Sequence, residues 1–154
     1  MTILRLQGEA EQIALGRRLA AAVGDQALIF LEGDLGAGKT TLVRGFLRGR
    51  GHEGNVKSPT YTLIEPYQLP GGACYHLDLY RLGDPGELEY LGLRELLRER
   101  AVVLVEWPER GAGWLPSPDL TITLSYVAGG KAREARLEAR SPRGANVLSG
   151  LSGP

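Results

Sequence analysis

Lys39 and Thr40 close a segment, Gly33–Thr40, whose residue types and spacing suit phosphate binding. The segment reads GDLGAGKT and fits G-x-x-x-x-G-K-[ST], the pattern of the phosphate-binding loop. Glycines let the backbone curl so that successive N–H groups face a polyphosphate, and the following helix turns its positive dipole end toward the same anion. In this pattern the lysine reaches the β- and γ-phosphates, and the hydroxyl holds Mg²⁺. The predicted nucleotide-binding residues are Gly33, Asp34, Leu35, Gly36, Ala37, Gly38, Lys39, Thr40 and Thr41.

Two carboxylates interrupt or end apolar segments that are typical of buried strands. Asp78 lies inside such a segment, and Glu106 follows the apolar run 101–105. A carboxylate in this setting needs a partner, and Mg²⁺ beside the phosphate loop is one candidate. The competing interpretations are a salt bridge from Asp78 to Arg81 or another arginine, and an ordinary strand-end glutamate. We predict that Lys39, Asp78 and Glu106 are the catalytic residues.

The two acids are expected to have different roles. Glu106 follows an entirely apolar strand, as the second acidic motif of nucleotide hydrolases does, so we assign it to the metal site together with Thr40. Asp78 is assigned to orienting the attacking water. His76 shares a strand face with Asp78, because side chains two residues apart point the same way. Since no cysteine or histidine cluster surrounds it, His76 is interpreted as a hydrogen-bonded core residue and not as a zinc ligand.

A segment rich in hydroxyl side chains follows the helix after the phosphate loop. Pro59 denies this segment a helix and favours extended backbone at Ser58. Ser58 and Thr60 therefore suit a switch-like loop that senses a γ-phosphate, although Ser-Pro-Thr is equally common in ordinary loops. For Trp107, three interpretations are open: packing under the sheet, stacking on a base, or contacting a partner.

The elements around the phosphate loop occur in the order that such a site requires. Residues 27–31 form an apolar run typical of a strand buried on both faces, and residues 41–48 repeat apolar side chains at helical spacing. Strand, loop and helix thus follow one another. The other predicted elements are an edge strand at 2–6, a helix at 9–23, helical segments at 87–100 interrupted at Gly92, and a terminal hairpin formed by 120–126 and 132–139.

The end of the chain has a different composition from the rest. Residues 141–154 show no periodicity and little apolar mass, so we expect a disordered tail after a single domain of residues 1–140. Ending the chain after Arg140 is accordingly expected to leave stability and nucleotide affinity unchanged.

Composition argues against several classes of protein. The 154 residues carry 18 basic and 18 acidic side chains, so no overall charge favours nucleic acid or a membrane. The local strip of Arg44, Arg48 and Arg50 is interpreted as a solvated face. A single cysteine, Cys74, excludes an intramolecular disulfide framework. With no signal-like segment and no apolar run of membrane-spanning length, we expect a cytoplasmic protein without membrane association.

Three stretches together resemble the TsaE family, formerly called YjeE, of small bacterial ATPases in tRNA threonylcarbamoyladenosine biosynthesis. They are residues 33–41, residues 58–67 (SPTYTLIEPY) and residues 76–82 (HLDLYRL), with the shorter Val105-Glu106-Trp107 as a fourth. The phosphate loop is shared with countless enzymes, whereas the second and third stretches are far more particular. The resemblance covers roughly residues 5–126 in the order usual for the family.

This resemblance implies an α/β fold with a mixed, mostly parallel central sheet flanked by helices, together with the predicted C-terminal hairpin. It implies ATP as the ligand, ADP as the product and Mg²⁺ as the metal, with Lys39 and Thr40 in their loop roles. Asp78 and Glu106 match the two functional acids of the family.

The resemblance also implies a moving segment and protein partners. Ser58 and Thr60 match the switch-like segment of the family. The implied partners are TsaB and TsaD, a pair that transfers the threonylcarbamoyl group to adenosine 37 of tRNAs that read ANN codons. Hydrolysis of ATP would reset this complex between turnovers, so tRNA would be involved only indirectly.

Two other functions remain open from the residues alone. Small-molecule kinases share the phosphate loop, and although no separate arginine-rich lid is recognisable, four arginines keep this function open. They are Arg94, Arg98, Arg100 and Arg110. A nucleotide-gated scaffold would bind ATP without useful turnover. A GTPase is disfavoured because Asn-Lys-x-Asp, the motif that reads guanine, is absent.

Overall fold

Seven strands form one mixed sheet in the computed structural model, which describes residues 1–152. The strands are β1 (Thr2–Leu6), β2 (Ala27–Glu32), β3 (Ile64–Leu69), β4 (Gly72–Asp78), β5 (Ala101–Glu106), β6 (Leu120–Val127) and β7 (Ala132–Ala139). Their order across the sheet is β1-β7-β6-β2-β5-β4-β3. The central strands β6, β2, β5 and β4 are parallel to one another. At the sides, β3 pairs antiparallel with β4, β7 with β6, and β1 with β7. The predicted mixed sheet with a terminal hairpin, β6–β7, is confirmed.

Five α-helices lie in the described part of the chain. They are α1 (Gly8–Ala22), α2 (Lys39–Gly49), α3 (Glu87–Tyr90), α4 (Leu93–Leu96) and α5 (Pro142–Ser152). The predicted helical region at 87–100 is divided into α3 and α4 at Gly92, whose φ of 78° places it in the left-handed region that glycine tolerates. Within residues 1–152, no helix is both long and apolar enough to cross a membrane.

An apolar cluster covers each face of the sheet. Alternate residues of a strand point to opposite faces, so Ile29 belongs to the cluster under α1, α2 and α5, whereas Leu28 belongs to the cluster under α3 and α4. The neighbouring strand β5 is divided in the same way, with Val102 on the first side and Val103 on the second. This double burial is why β2 and β5 are almost entirely apolar.

The expected disordered tail is wrong for residues 142–152, which form α5. Ser141 caps this helix, because its side-chain oxygen accepts a hydrogen bond of 3.1 Å from the Gly144 N–H. Val147 and Leu151 are buried in the first apolar cluster, and Arg18 donates a hydrogen bond of 2.7 Å to the carbonyl of Leu151. The C-terminal segment thus belongs to the same core as the rest of the domain, while residues 153 and 154 lie outside the described residues.

The three arginines of the helix after the phosphate loop do not form a free basic face. Arg44 pairs with Glu9 at 3.2 Å, and Arg48 donates to two loop carbonyls. Arg50 is buried, and its guanidinium donates to carbonyl oxygens at the end of α1 and in the β3–β4 turn. Arg50 therefore joins elements of the fold, and the interpretation of the strip as solvated is wrong for this residue.

Candidate nucleotide-binding site

The phosphate-loop segment connects the end of β2 to the first residue of α2. Gly33 has a φ of 145°, and a Cβ at this position would lie 2.5 Å from the carbonyl oxygen of Leu124 on β6. Gly38 has a φ of 107°, and a Cβ there would lie 2.1 Å from the side-chain oxygen of Gln12 on α1. The positive φ favours glycine at both positions, and at Gly33 a backbone carbonyl also leaves no room for a Cβ. The loop is consequently held between β6 and α1.

Lys39, the first residue of α2, is buried although it carries a charge. Its Nζ donates a hydrogen bond to the carbonyl oxygen of Gly33 and lies 3.6 Å from the centroid of the Trp107 ring. Burial lowers the pKa of Lys39. The negative charges of nearby carboxylates oppose that shift, and Glu106 has the largest opposing effect. The ammonium is therefore held inside the loop by a carbonyl and an aromatic face.

Trp107 is placed by unusual backbone geometry immediately after β5. Its φ and ψ of 58° and 49° lie in the left-handed region, which is uncommon for a bulky residue. The turn brings the indole to Lys39 and to Tyr80, whose ring centroid is 5.0 Å away. Of the interpretations open from the sequence, the structure supports packing, against the loop lysine and the second apolar cluster.

Glu106 lies beside the hydroxyl that was predicted to share a metal with it. Thr40 Oγ1 is 3.1 Å from Glu106 Oε2 and 3.3 Å from Oε1, so the hydroxyl donates to the carboxylate. On the neighbouring strand β4, His76 Nε2 is 2.5 Å from the same Oε2. Glu106 is 3% exposed and His76 is fully buried, so the predicted core histidine has a specific partner that sequence reasoning missed.

Asp78 contacts the segment that was predicted to be switch-like. Its Oδ2 accepts a hydrogen bond of 3.3 Å from Thr60 Oγ1, and its Oδ1 accepts one of 3.0 Å from the Tyr80 N–H. The hydroxyls of Ser58 and Thr60 lie 2.8 Å apart. Ser58 is exposed and reaches the acid only through Thr60. These contacts connect the predicted switch-like pair to a carboxylate of the site.

Burial raises the pKa of Asp78, and the negative charge of Glu106 adds to this effect. The hydrogen bonds from Tyr80 and Thr60 act in the opposite direction, because they stabilise the ionised form. Among residues 1–152, no ion pair involves Asp78. Arg81, the proposed salt-bridge partner, instead lies over the ring of Tyr61 at 4.4 Å.

The register of the sheet explains why the two acids meet. β4 and β5 are parallel, and Asp78 is directly paired with Glu106 at their carboxyl ends. β2 is the other parallel neighbour of β5, so the phosphate loop leaves the sheet at the same edge. Ligand sites of open α/β sheets form at this edge. Three parallel strands therefore deliver a lysine, a hydroxyl and two carboxylates to one place.

An open cavity of about 410 Å³ lies at this edge. Its lining includes most of the predicted site residues: Leu35, Gly36, Gly38, Lys39, Thr40, Thr41, Thr60, Asp78 and Glu106. Tyr80, Arg81 and Trp107 also line it and had not been predicted as site residues. Gly33, Asp34, Ala37 and Ser58 are site predictions that do not line it. None of the four arginines that suggested a kinase lid does so either.

The donor chemistry of the cavity fits a hard divalent cation. Thr40, Asp78 and Glu106 all present oxygen atoms, which Mg²⁺ prefers. Among the described residues, no group of three or more histidine, cysteine, aspartate or glutamate side chains is arranged to hold a metal by itself.

Comparison with known proteins gives a consistent result. The family model described as "Threonylcarbamoyl adenosine biosynthesis protein TsaE" matches residues 6–135. The tRNA threonylcarbamoyladenosine biosynthesis protein TsaE of Haemophilus influenzae is 50% identical over 125 residues, which are 81% of this chain and 78% of that protein. The protein of the same name from Bacillus subtilis is 40% identical over 129 residues, 84% of this chain and 80% of that one.

A solved structure is also similar over nearly the whole chain. The crystal structure of Bacillus subtilis YdiB superposes with a TM-score of 0.85 at 32% sequence identity. The superposition covers 98% of this chain and 93% of that chain. The likeness therefore includes the edge strand β1 and most of α5, as well as the phosphate-loop core.

Proposed function

The chain belongs to the TsaE family of tRNA threonylcarbamoyladenosine biosynthesis proteins, and from this premise we propose that it binds and hydrolyses ATP with Mg²⁺. Hydrolysis drives turnover of the TsaB–TsaD complex, which modifies adenosine 37 of tRNAs that read ANN codons. The protein acts on that complex in the cytoplasm and involves tRNA only indirectly. One observation carries the ATPase proposal: Lys39, Thr40, Asp78 and Glu106 line a single cavity at the phosphate loop.

Nucleotide binding requires Lys39 to change partners. In the structure its ammonium donates to the Gly33 carbonyl and lies over Trp107. A phosphate entering the cavity offers a stronger, charge-assisted acceptor, so the ammonium turns from the carbonyl to the β- and γ-phosphates. The N-terminus of α2 adds backbone N–H donors and a favourable dipole.

Thr40 and Glu106 would hold the metal, because the Thr40 hydroxyl oxygen already lies 3.3 Å from Oε1 and 3.1 Å from Oε2 of Glu106 at the cavity wall. When bound, Mg²⁺ supplies positive charge that stabilises the negative charge on the phosphates. The remaining acid, Asp78, orients the attacking water, and its hydrogen bond from Thr60 lets the segment containing Ser58 and Thr60 respond to the γ-phosphate. The side chains thus divide into binding, metal-holding and water-orienting groups.

Measurement of ATP consumption tests the proposal. The purified chain is assayed with Mg²⁺ alone, with TsaB and TsaD, and with those partners plus substrate tRNA, in single-turnover and multiple-turnover formats. We expect hydrolysis that the partners stimulate, and more than one modified tRNA per TsaB–TsaD complex only when ATP is hydrolysed. Transfer of the γ-phosphate to a small acceptor would indicate a kinase, and binding without turnover would indicate a scaffold.

Lys39→Ala is the central variant of this experiment. It should abolish hydrolysis and greatly weaken nucleotide binding, because a charge-assisted contact to phosphate is lost in a site built around it. Lys131→Ala is the matched control, since Lys131 is an exposed lysine that does not line the cavity. Undiminished turnover in Lys39→Ala would contradict the phosphate-loop assignment.

A further inference from the structure

His76 is completely buried beside the carboxylate that the proposed function assigns to the metal. Its Nε2 lies 2.5 Å from Glu106 Oε2, whereas its Nδ1 has no hydrogen-bond partner among residues 1–152. A ring nitrogen of histidine donates a hydrogen bond only where it carries a hydrogen, and a carboxylate can only accept one. The hydrogen belongs on Nε2, where an acceptor is present. His76 is therefore a donor to Glu106.

The place of His76 in the sheet separates it from the nucleotide. It pairs with Leu104 of β5, two residues before the Asp78–Glu106 pair at the strand ends. Its side chain shares the face of Asp78 and Glu106 but lies deeper, and it is absent from the cavity wall. His76 thus touches the carboxylate from inside the protein and does not reach a ligand in the cavity.

The contacts of Glu106 show what this donor can control. Thr40 Oγ1 contacts both carboxylate oxygens, and His76 contacts Oε2 alone. A carboxylate held by a hydroxyl only can rotate about its last torsion, which is broad in glutamate. A second donor on Oε2 restricts that torsion, and Oε1 then has the Thr40 hydroxyl as its only hydrogen-bond partner among the described residues. Buried partners that orient a metal-ligating group in this way strongly affect metal affinity.

We propose that His76 is a positioning residue that holds Oε2 of Glu106 so that Oε1 stays available for Mg²⁺ bound with the nucleotide. The proposal rests on the proposed function, because it takes Glu106 as the metal-site acid. It assigns a role to a side chain that the sequence pattern alone places in the core. The role is exerted through Glu106, and the histidine contacts neither metal nor nucleotide.

Four variants separate this role from simple packing. His76→Leu removes the donor at similar volume, and His76→Asn keeps a polar group that is too short to reach Glu106. His76→Gln retains an N–H near the position of Nε2. Cys74→Ala is the matched control, because Cys74 is buried on the same strand and face but contacts neither acid. Folding of each variant is checked by circular dichroism and thermal melting.

The main measurement is the binding of ADP and of a non-hydrolysable ATP analogue by the intact chain, titrated with Mg²⁺ and repeated in EDTA. In EDTA we expect His76→Leu and His76→Asn to bind nucleotide like the wild type, since the loop and Lys39 are intact. The Mg²⁺ concentration for half-maximal enhancement should rise about tenfold or more in both, the usual effect of losing an outer-shell partner. His76→Gln should restore most of the wild-type value, and Cys74→Ala should not change it.

Two results would overturn the proposal. One is an unchanged Mg²⁺ dependence in folded His76→Leu or His76→Asn. The other is an equal loss of affinity with and without Mg²⁺, which would mean that His76 only supports the fold. If His76→Leu does not fold, His76→Asn carries the test. A wild type that binds nucleotide in a Mg²⁺-dependent manner but never hydrolyses ATP would contradict the proposed function while the binding titrations still decide the role of His76.

Discussion

Asp78 and Glu106 end neighbouring parallel strands, yet their side chains have different partners. Glu106 contacts Thr40 at the first turn of α2, and Asp78 contacts Thr60 in the loop before β3. A metal bound through the Thr40 hydroxyl would therefore lie near Glu106, and a water activated by the loop would lie near Asp78. This difference in contacts supports the division of roles, and mutation tests it directly.

We predict that Asp78→Ala and Glu106→Ala each retain ATP binding within about tenfold, or roughly 1.4 kcal/mol. Loss of a carboxylate removes metal contacts but also removes repulsion toward the phosphates. Each variant should lose hydrolysis by about a hundredfold or more, which is the usual effect of losing a positioning or electrostatic group. Binding is measured by calorimetry and hydrolysis by single-turnover assay.

A Mg²⁺ titration distinguishes the two acids. High Mg²⁺ should partly rescue Glu106→Ala, because mass action compensates for a weakened metal site, and should not rescue Asp78→Ala. Glu95→Ala is the control, since Glu95 is exposed on α4. Near-normal hydrolysis in both site variants would mean that the acids are structural.

The raised pKa of Asp78 predicts a pH-dependent stability difference between the wild type and Asp78→Asn. In the unfolded chain this carboxyl titrates near its ordinary value of 3.8. Because its pKa is higher in the folded state, the stabilisation associated with the protonated form is complete below that value and is lost as the pH rises through the folded pKa. The amide of the variant does not ionise. The free energy of unfolding of Asp78→Asn, relative to that of the wild type, should therefore increase as the pH rises from about 4.

Urea unfolding at several pH values, with nucleotide absent, measures this difference. Asp84→Asn provides the control, because Asp84 is an exposed aspartate. A difference that stays constant with pH, or that falls as the pH rises, would show that Asp78 is not held at a raised pKa.

His76 and Trp107 show where prediction from the sequence ends at the residue scale. The phosphate loop could be placed because its eight residues are local and their spacing alone specifies the turn and the helix start. The strand period also placed His76 on the face of Asp78. Its partner could not be found, because the His76–Glu106 contact depends on β4 lying beside β5 in one particular register. The same holds for the Lys39–Trp107 contact, which needs a left-handed residue after β5.

At the scale of elements, α5 is the largest departure from the sequence prediction. Most residues of α5 are small or polar, a composition that favours disorder. A local signal favours a helix instead, because Ser141 followed by Pro142 is a typical cap and first residue of a helix. Val147 and Leu151 are four residues apart and therefore lie on one face. The side chains of α5 that pack against the core are Val147, Leu148 and Leu151, which span little more than one helical turn, so the sequence shows no extended apolar period here. α1 has 15 residues and α2 has 11, as α5 does, and both are predicted from the sequence because their apolar side chains recur over more of the helix.

Leu151→Ala tests whether α5 stabilises the domain. Leu151 is 5% exposed in the first apolar cluster, so its truncation should lower the free energy of unfolding by about 2 to 5 kcal/mol. Ending the chain after Arg140 should destabilise more strongly, which reverses the expectation from composition. Nucleotide affinity of the folded Leu151→Ala protein should be unchanged, because α5 does not line the cavity.

Equilibrium unfolding in urea measures the loss of stability, and Asn146→Ala is the control because Asn146 is exposed on the same helix. A loss no larger than that of the control would show that α5 contributes little to stability.

On the scale of the whole molecule, the two apolar clusters share the central strands of the sheet. β2 and β5 contribute alternate side chains to both clusters, so neither cluster can be lost without disturbing the strands that carry the other. The site depends on the same strands, because the phosphate loop follows β2 and Glu106 ends β5. Stability and site geometry are thus coupled through the middle of the sheet.

We therefore predict one cooperative unfolding transition. Trp107 packs against the second cluster, whereas α1, α2 and α5 cover the first. In a Trp114→Phe background, fluorescence reports Trp107, and far-ultraviolet circular dichroism reports mainly the helices. The two signals should give the same urea midpoint, and Leu151→Ala should shift both equally. Separate midpoints would mean that the faces of the sheet unfold independently.

The pairing of β1 with β7 has a consequence for how the chain is made. Residues 2–6 are synthesised well before residues 133–137, with which they pair. A nascent chain can bring together β2, α2, β4 and β5 before the partner strand of β1 has been synthesised, because those elements lie within residues 27–106. β1 therefore lacks its partner strand until β7 has been made, and until then the backbone N–H and C=O groups of β1 are not paired by the sheet.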